Sequence, residues 1–199
     1  MNAKIEKEKI RAAIKDKYAD ISRSAIDRFA YPTGIDGARL LGYDPSVLST
    51  MPAEMMKSFC GVGNPFLGGA VKEGEVLLDI GCGSGIDLIV AGQYIRERGR
   101  ICGIDLTPEM AKLAQQNAVN MGLCNIEVRE GCAESIPYER DTFDVIISNG
   151  VLNLSPEKDL AFREIFRVLA PDGRFQFADI VLSDDTAREL PCTLDAWSD

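Results

Sequence analysis

The 199-residue sequence predicts an α/β fold in which an open parallel sheet carries helices on both faces. From Glu75 onward, aliphatic runs typical of strands alternate with segments of helical periodicity. The connections between them are short and are marked by glycine, proline and capping residues. The first run, VLLDI, is aliphatic almost throughout, as in a strand covered on both faces. Such an alternation implies right-handed crossovers and a ligand crevice at the carboxyl ends of the strands.

Five segments have the composition of strands. They are VLLDI at 76–80, RICGIDL at 100–106, NIEVREG at 125–131, FDVIISNG at 143–150 and RFQFADIVL at 174–182. Each is bounded by polar residues or glycine, which sets it apart from the helical segments.

Three helices are predicted between these strands. The first follows the glycine cluster after VLLDI and closes on Gly99 as the C′ residue. The second begins at Thr-Pro-Glu (107–109), with an N-cap hydroxyl, a proline at the first position and an acid facing the helix dipole, and it stops at Gly122. The third is capped by 155–157 and runs to the turn at 171–173.

The first 70 residues are predicted to form a helical cover over the sheet. IEKEKIRAAIKDKY places Ile5, Ile10, Ile14 and Tyr18 roughly on one helical face, and the stretch from 32 to 52 is interrupted by proline and glycine. We therefore divide the chain into a cover at 1–70 and an α/β domain at 71–199. An independent N-terminal module is the alternative.

Composition excludes several classes of function. The net charge of −9 and the absence of long Lys/Arg runs argue against nucleic acid and anionic membranes as partners, which favours a small molecule. No apolar run has the length of a signal-peptide core or a membrane span, which indicates a cytoplasmic protein. Six cysteines without C-x-x-C spacing are typical of free thiols, and no pattern specifies an oligomeric state.

The sequence contains no histidine. This removes Ser-His and Cys-His nucleophile pairs, histidine general bases and histidine-ligated zinc, and no metal site is predicted. The chemistry must therefore use carboxylates, thiols, tyrosines, amides, backbone groups or a cofactor.

The residues after the first strand predict a ligand site. Asp79 is followed by Gly81-x-Gly83-x-Gly85, which differs from the G-x-G-x-x-G of dinucleotide enzymes. Glycines at a strand end let a ligand lie against bare backbone, and Asp105 at the end of the second strand can accept both hydroxyl hydrogens of a ribose. The combination suits an aminoacyl-nucleoside. A turn-capping Asp79 with an unremarkable strand-end Asp105 is the alternative.

From Gly74 to about Ser183 the chain resembles the class I S-adenosylmethionine-dependent methyltransferases. The resemblance is carried by VLLDIGCGSG, GIDLTPEM, EGCAESIPY and FDVIISNGVLNL. It implies the Rossmann-like open parallel sheet of that family, S-adenosyl-L-methionine as cofactor and S-adenosyl-L-homocysteine as product. A sulfonium activates its own methyl group, so the protein has mainly to align an acceptor and exclude water.

The resemblance also implies the cofactor-binding residues. Asp79 and the backbone from Gly81 to Gly85 would hold the methionine part, Asp105 the ribose, and Leu106 and Ala133 the adenine faces. The full implied set is Asp79, Gly81, Cys82, Gly83, Ser84, Gly85, Asp105, Leu106, Met110, Cys132, Ala133 and Asn149. Many members have an aspartate where this chain has Cys132, which leaves backbone groups or Glu134 to accept the adenine amino group.

A closer resemblance is to the arsenite methyltransferases, through LTPEMAKLAQQNA, SFCGVGNPF and the stretch from VIISNG to ADIVL. In those enzymes three cysteines match the trigonal valence of arsenic, but Val62 and Gly150 stand at two of the three positions here. We therefore expect arsenite to be a poor substrate. Cys60 and Asn149 are the candidate catalytic residues, with a buried structural cysteine and a turn-forming amide as alternatives.

The predicted function is methyl transfer to an unidentified small molecule. Three alternatives remain: arsenite methylation with a rearranged thiol set, methylation of a quinone-like ring, and a truncated S-adenosylmethionine-binding module without turnover. The relatives continue beyond a similar Trp segment into a cysteine and further strands, so we expect the C-terminal strands to be missing. One hypothesis is a UGA codon at position 200 that encodes selenocysteine, and an engineered fragment is the other explanation.

Overall fold

The computed structural model describes residues 3–181, which form a five-stranded sheet flanked by helices. The strands are β1 (Val76–Ile80), β2 (Arg100–Asp105), β3 (Ile126–Glu130), β4 (Phe143–Asn149) and β5 (Leu169–Ala178). They lie in the order β3-β2-β1-β4-β5 and all pair in parallel. The predicted Rossmann-like α/β fold is confirmed. The expectation of missing C-terminal strands concerns residues outside the described range.

Seven helices are described. They are α1 (Ala3–Ile21), α2 (Gly34–Leu40), α3 (Pro45–Leu48), α4 (Ala53–Met56), α5 (Ile86–Ile95), α6 (Pro108–Asn120) and α7 (Lys158–Val168). Two 3₁₀ turns, Pro65–Gly68 and Leu152–Leu154, complete the regular elements of this range. Within residues 3–181, no helix combines the length and the apolarity that a membrane crossing requires.

Both faces of the sheet are covered. Along β1, Leu77 packs into one apolar layer with α5, while Leu78 and Ile80 pack into the other layer with α7. Side chains alternate between the faces of a strand, so an aliphatic run such as this one must be buried on both sides. Leu77 and Leu78 are completely buried, and each contributes about 1.5–3 kcal/mol through removal from water.

The N-terminal residues share the core of the sheet domain. Met56 and Phe59 pack with Ile86 and Ile89 of α5 in a third buried cluster. Because α2, α3 and α4 are short, this tertiary packing must supply most of their stability. The predicted division of the chain into a cover at 1–70 and an α/β domain stays a prediction.

The first helix between strands ends earlier than predicted. Helix α5 stops at Ile95, and Arg96 has a positive φ of +56°. Gly99, predicted as the C′ residue, is needed for a different reason, since a Cβ there would overlap the carbonyl oxygen of Glu75. The prediction for Gly99 was therefore wrong. Glycine is required at position 99 because the backbone there lies too close to the backbone of Glu75 for a side chain to fit.

Two further boundaries differ in detail. Thr107 precedes α6 as predicted, but its hydroxyl makes no capping hydrogen bond and its side chain instead binds Asp105. The predicted turn at 171–173 lies inside β5, where Leu169 pairs with Phe143 and Arg174 pairs with Val145. The extra residues form a bulge in the edge of the described sheet.

Candidate active site

A cleft of about 800 Å³, including its open mouth, lies at the carboxyl ends of β1, β2 and β4. The strand order reverses between β1 and β4, and this switch point is where open α/β sheets bind ligands. Eight of the predicted site residues line the cleft: Cys60, Gly81, Gly83, Asp105, Leu106, Cys132, Ala133 and Asn149. The structure thus brings together the residues predicted to contact the methionine part, the ribose and the adenine.

The glycine loop is fastened to the neighbouring strand and leaves bare backbone toward the cleft. The N–H groups of Gly81 and Cys82 both donate to the carbonyl of Ile104, at 2.8 and 3.0 Å. Gly83 has a left-handed φ of +52°, and a Cβ at this position would meet no atom within 4 Å. A ligand can therefore approach the Gly83 backbone without hindrance. A Cβ at Gly81 would instead overlap the side chain of Val151.

Asp105 ties the glycine loop to the start of α6. One carboxylate oxygen accepts from the Gly83 N–H and the other from the Thr107 N–H, both at 2.8 Å. Burial raises the pKa of Asp105 to about 6, although these hydrogen bonds favour the ionised form. The Thr107 side chain also hydrogen-bonds to this carboxylate, so about one of its four acceptor sites remains for the cleft that Asp105 lines.

The remaining predicted cofactor residues lie behind the cleft wall. Cys82 packs in the apolar layer beneath the loop, the carbonyl of Ser84 accepts from the Asn117 amide at 2.9 Å, and Gly85 precedes α5. Met110 is fully buried against α1. These positions support the loop from the protein side.

Asp79 belongs to a group of buried carboxylates. It is 2% exposed, and its pKa is raised well above the ordinary range by burial and then by the negative charges of Asp87 and Asp105. Burial also raises the pKa of Asp87 to about 6. This concentration of acids favours a cationic ligand nearby, since a positive charge would stabilise the ionised carboxylates.

Asn149 holds the loop that contains Val62 and Gly63. Its Oδ1 accepts from the N–H groups of Val62 and Gly63 at 2.9 and 3.1 Å. Its Nδ2 shares two hydrogens among three acceptors, the Gly63 carbonyl, the Tyr43 hydroxyl and Asp87, at 2.9, 3.0 and 3.1 Å. Both polar atoms of the amide are thus engaged by the protein, which makes Asn149 a positioning residue for this loop. Its predicted place beside the reacting methyl group stays a prediction.

Cys60 lines the same cleft and is half-buried. Burial, followed by the nearby carboxylate of Asp105, raises the pKa of its thiol to about 12. A thiol with this pKa is neutral at physiological pH and is a weak nucleophile and metal ligand. Its predicted catalytic role remains untested.

Val62 lies next to Gly150, which lines the cleft. A Cβ at position 150 would lie 3.3 Å from both γ carbons of Val62. These are the two positions at which the arsenite-methyltransferase resemblance would place thiols. The structure makes them neighbours and fills the space between them with apolar carbon.

Helix α1 supplies part of the cleft that the sequence did not reveal. Arg11, Ile14 and Tyr18 all line it, together with Ser155 from the loop before α7. The spacing 11, 14, 18 is a single helical face, and this i, i+3, i+7 signal was available in the sequence for Ile14 and Tyr18. The sequence did not predict that Arg11 lines the cleft, because a charged residue in a helix is usually a solvated surface side chain.

The profile of the methyltransferase-domain family matches residues 71–199. An arsenite methyltransferase of Halobacterium salinarum is 33% identical over 196 residues, which cover 91% of this chain and 50% of that protein. Another, from Aquipseudomonas alcaligenes, is also 33% identical and covers 78% of this chain and 46% of its own length. The chain therefore spans about half the length of these curated relatives.

Solved structures show the same likeness. An arsenic(III) S-adenosylmethionine methyltransferase from Chlamydomonas reinhardtii is 35% identical with a TM-score of 0.62, over 69% of this chain and 50% of the other. A SAM-dependent methyltransferase from Aquifex aeolicus is 26% identical with a TM-score of 0.56, over 71% and 69% of the two chains. These likenesses support the Rossmann-like methyltransferase fold of the described residues.

Proposed function

The chain belongs to the methyltransferase-domain family of S-adenosylmethionine-dependent proteins, and on that premise we propose that it transfers a methyl group to a small molecule. The observation that carries the proposal is the pairing of the bare Gly83 backbone with the Asp105 carboxylate on one cleft wall. The first can accommodate the methionine part of the cofactor, and the second can accept ribose hydroxyls.

The residues present fit this cofactor. S-adenosylmethionine carries positive charge on its sulfonium and ammonium groups, which suits a cleft lined by Asp105 with the buried carboxyl groups of Asp79 and Asp87 behind its wall. When bound, the cofactor supplies a methyl group already activated for displacement by an acceptor. The chain's part is to orient the two reactants and exclude water, and α1 contributes by covering the cleft with Ile14 and Tyr18.

Calorimetry with S-adenosylmethionine and a methyl-transfer assay on the same sample test the proposal. We expect binding of the cofactor and release of S-adenosylhomocysteine with at least one acceptor from a panel of thiols, phenols and quinols. Binding without transfer to any acceptor would favour a cofactor-binding module instead. Absence of cofactor binding would refute the proposal at its first step.

Cofactor affinity should rise with pH through the titration of Asp105. The pKa of Asp105 is about 6 in the folded protein without ligand, which is above the pKa of an aspartate in an unfolded chain. Protonation of Asp105 therefore stabilises the fold at low pH. This stabilisation is lost as the pH rises from the pKa of the unfolded state through about 6. Ribose hydroxyls donate to the ionised carboxylate, so binding should strengthen and release protons between about pH 5 and about pH 7.5. Calorimetry in buffers of different ionisation enthalpy measures this release.

Asp105→Asn is the matched control for that dependence. The part of the proton release that belongs to Asp105 should disappear in this variant, and any remainder belongs to Asp79 and Asp87. Affinity for S-adenosylhomocysteine that is constant over the whole pH range would contradict the assignment.

At Cys60 the cleft offers a neutral thiol and no thiolate. Val62 packs toward Gly150, and the pKa of Cys60 is far above neutrality. The relatives named arsenite methyltransferases make arsenite the second candidate acceptor. Trivalent arsenic binds thiolates strongly, and the side chains at positions 62 and 150 offer none.

Arsenite should therefore be methylated poorly. With excess small thiol present, we expect methylarsenicals to form far more slowly than S-adenosylhomocysteine forms with the best acceptor of the panel. Mass spectrometry of the arsenic products against cofactor turnover gives the comparison. Equal rates for the two would establish arsenite as the substrate and overturn this expectation.

A further inference from the structure

Three basic residues of α1 form ion pairs with acidic residues of the sheet domain. Lys7, Arg11 and Lys15 are spaced four residues apart and therefore lie along one side of the helix. Lys7 and Arg11 both donate to Glu157, at 2.8 and 3.0 Å. Lys15 donates to Glu130 at 3.2 Å. Glu130 ends β3 and Glu157 directly precedes α7, so these contacts attach α1 to the edge of the sheet that carries the cleft.

The two ends of α1 are attached by different kinds of contact. The carboxyl-terminal end is anchored by apolar packing, since Ile21 is buried together with Met110 of α6. Toward the amino-terminal end, no residue from 7 to 13 is fully buried. Partly exposed ion pairs contribute little to stability and are screened by salt. The amino-terminal half of α1 can therefore separate from the sheet domain at small cost, with the carboxyl-terminal end as the hinge.

Arg11 reduces the stability of this contact further. Its Nε is buried and has no hydrogen-bond partner among the residues that the structure describes. A buried donor without an acceptor is costly, and movement of α1 away from the sheet would return this group to water. The ion pairs at Glu157 thus oppose the cost of one unsatisfied donor.

We propose that Glu157 is a positioning residue that holds α1 as a lid over the cleft and thereby controls how fast the cofactor enters and leaves. Three residues of α1 line the cleft, and Glu157 directly follows two more of its lining residues, Ser155 and Pro156. The ion pairs join protein groups only, so they act with or without ligand. The kinetic part of this inference rests on the proposed cofactor, whereas the movement of α1 does not.

Stopped-flow binding of S-adenosylhomocysteine tests the kinetic part. Glu157→Gln removes both ion pairs and should raise the association and dissociation rate constants each by about threefold to tenfold, with a smaller change in affinity. Loss of a direct ligand contact would raise the dissociation rate alone. An increase in salt from about 0.05 M to about 0.5 M should raise both rates in the wild-type chain, because it screens the pairs, and should have much less effect in Glu157→Gln.

Lys7→Gln is the second variant. It removes one of the two ion pairs at Glu157, and Lys7 does not line the cleft. We expect a smaller rise in both rates than in Glu157→Gln. The double variant should match Glu157→Gln alone, and this non-additivity would show that the two residues act through one contact. Melting curves check that each variant folds, and if Glu157→Gln does not fold, the rates in Lys7→Gln decide the matter.

Cys132 reports the movement of α1 without any ligand. Its half-buried thiol lines the cleft close enough to Arg11 for that charge to lower its pKa, although burial raises the pKa overall. Peptide-resolved alkylation by iodoacetamide at about pH 9, where thiolate forms more readily, should be faster at Cys132 in Glu157→Gln than in the wild-type chain. Cys124 is exposed and provides the internal reference, whose rate should not change.

Glu127→Gln provides the matched control. Glu127 also accepts from two basic residues, Arg100 and Arg129, at 2.8 and 2.6 Å, but it does not line the cleft and makes no contact with α1. Its replacement should leave the binding rates and the alkylation of Cys132 unchanged. Unchanged rates and unchanged alkylation in Glu157→Gln, or equal changes in Glu127→Gln, would overturn the inference. Failure of the wild-type chain to bind S-adenosylhomocysteine would refute the proposed cofactor, and alkylation of Cys132 would then decide the movement of α1 by itself.

Discussion

Replacement of Gly83 by valine should abolish cofactor binding and leave the protein folded. A side chain at this position would meet no protein atom and would project into open space at the wall of the cleft. It would therefore occupy the path of the ligand. The left-handed φ of +52° costs a valine about 1–3 kcal/mol, which lowers the free energy of unfolding without preventing folding. Calorimetry with S-adenosylhomocysteine and a melting curve measure the two effects separately.

Gly122→Val is the matched control for this experiment. Gly122 also has a left-handed φ, +71°, and also has nothing within 4 Å of an added Cβ, but it follows α6 away from the cleft. The control should lose a similar amount of stability and bind the ligand normally. If both variants bind equally well, the glycine loop is not the binding surface. Gly81→Val is a poorer test, because its side chain would overlap Val151 as well as the ligand.

Asp105→Ala should weaken binding of S-adenosylhomocysteine by about 10- to 100-fold, the cost of lost hydrogen bonds at a buried site. Two effects contribute. The ribose loses its acceptors, and the Gly83 N–H loses the carboxylate that orients the loop. Since burial raises the pKa of Asp105, folding disfavours its ionised form, and the alanine variant should lose less free energy of unfolding than free energy of ligand binding.

A deoxyribose ligand separates those two effects. S-adenosylhomocysteine that lacks the 2′ and 3′ hydroxyls should bind the wild-type chain weakly, and in Asp105→Ala the difference between the two ligands should largely vanish. This non-additivity is the signature of a direct contact. A full penalty for the missing hydroxyls in the alanine variant would place the ribose elsewhere and leave Asp105 with its loop-orienting role.

The fold of the sheet domain could be predicted because burial acts on each strand locally. Runs such as VLLDI and FDVIISN must be covered on both faces, which restricts them to the centre of a parallel sheet. The residues from 32 to 56 gave no comparable signal. Proline and glycine interrupt their periodicity, and α2, α3 and α4 are stabilised by packing against α5, which no local pattern records.

Part of the geometry of the candidate site was predictable, where backbone chemistry dictates the residue type, and the binding roles of its residues stay predictions. Gly83 and Asp105 meet in the cleft as expected, because a glycine turn and a strand-end acid on neighbouring strands lie at the same edge of the sheet. Arg11 was not predictable, since its approach to Glu134 depends on where α1 docks. The role of Asn149 was also hidden, because a sequence cannot show that five protein contacts already occupy its amide.

Asn149 holds the loop that contains Val62 and Gly63 through hydrogen bonds to its backbone, and this affects which substitutions the loop tolerates. The amide binds the backbone groups of Val62 and Gly63 and makes no demand on the side chain at position 62. The loop therefore keeps its attachment whichever side chain that position carries. Substitutions at position 62 can therefore accumulate without loss of the hydrogen bonds that attach this loop to Asn149.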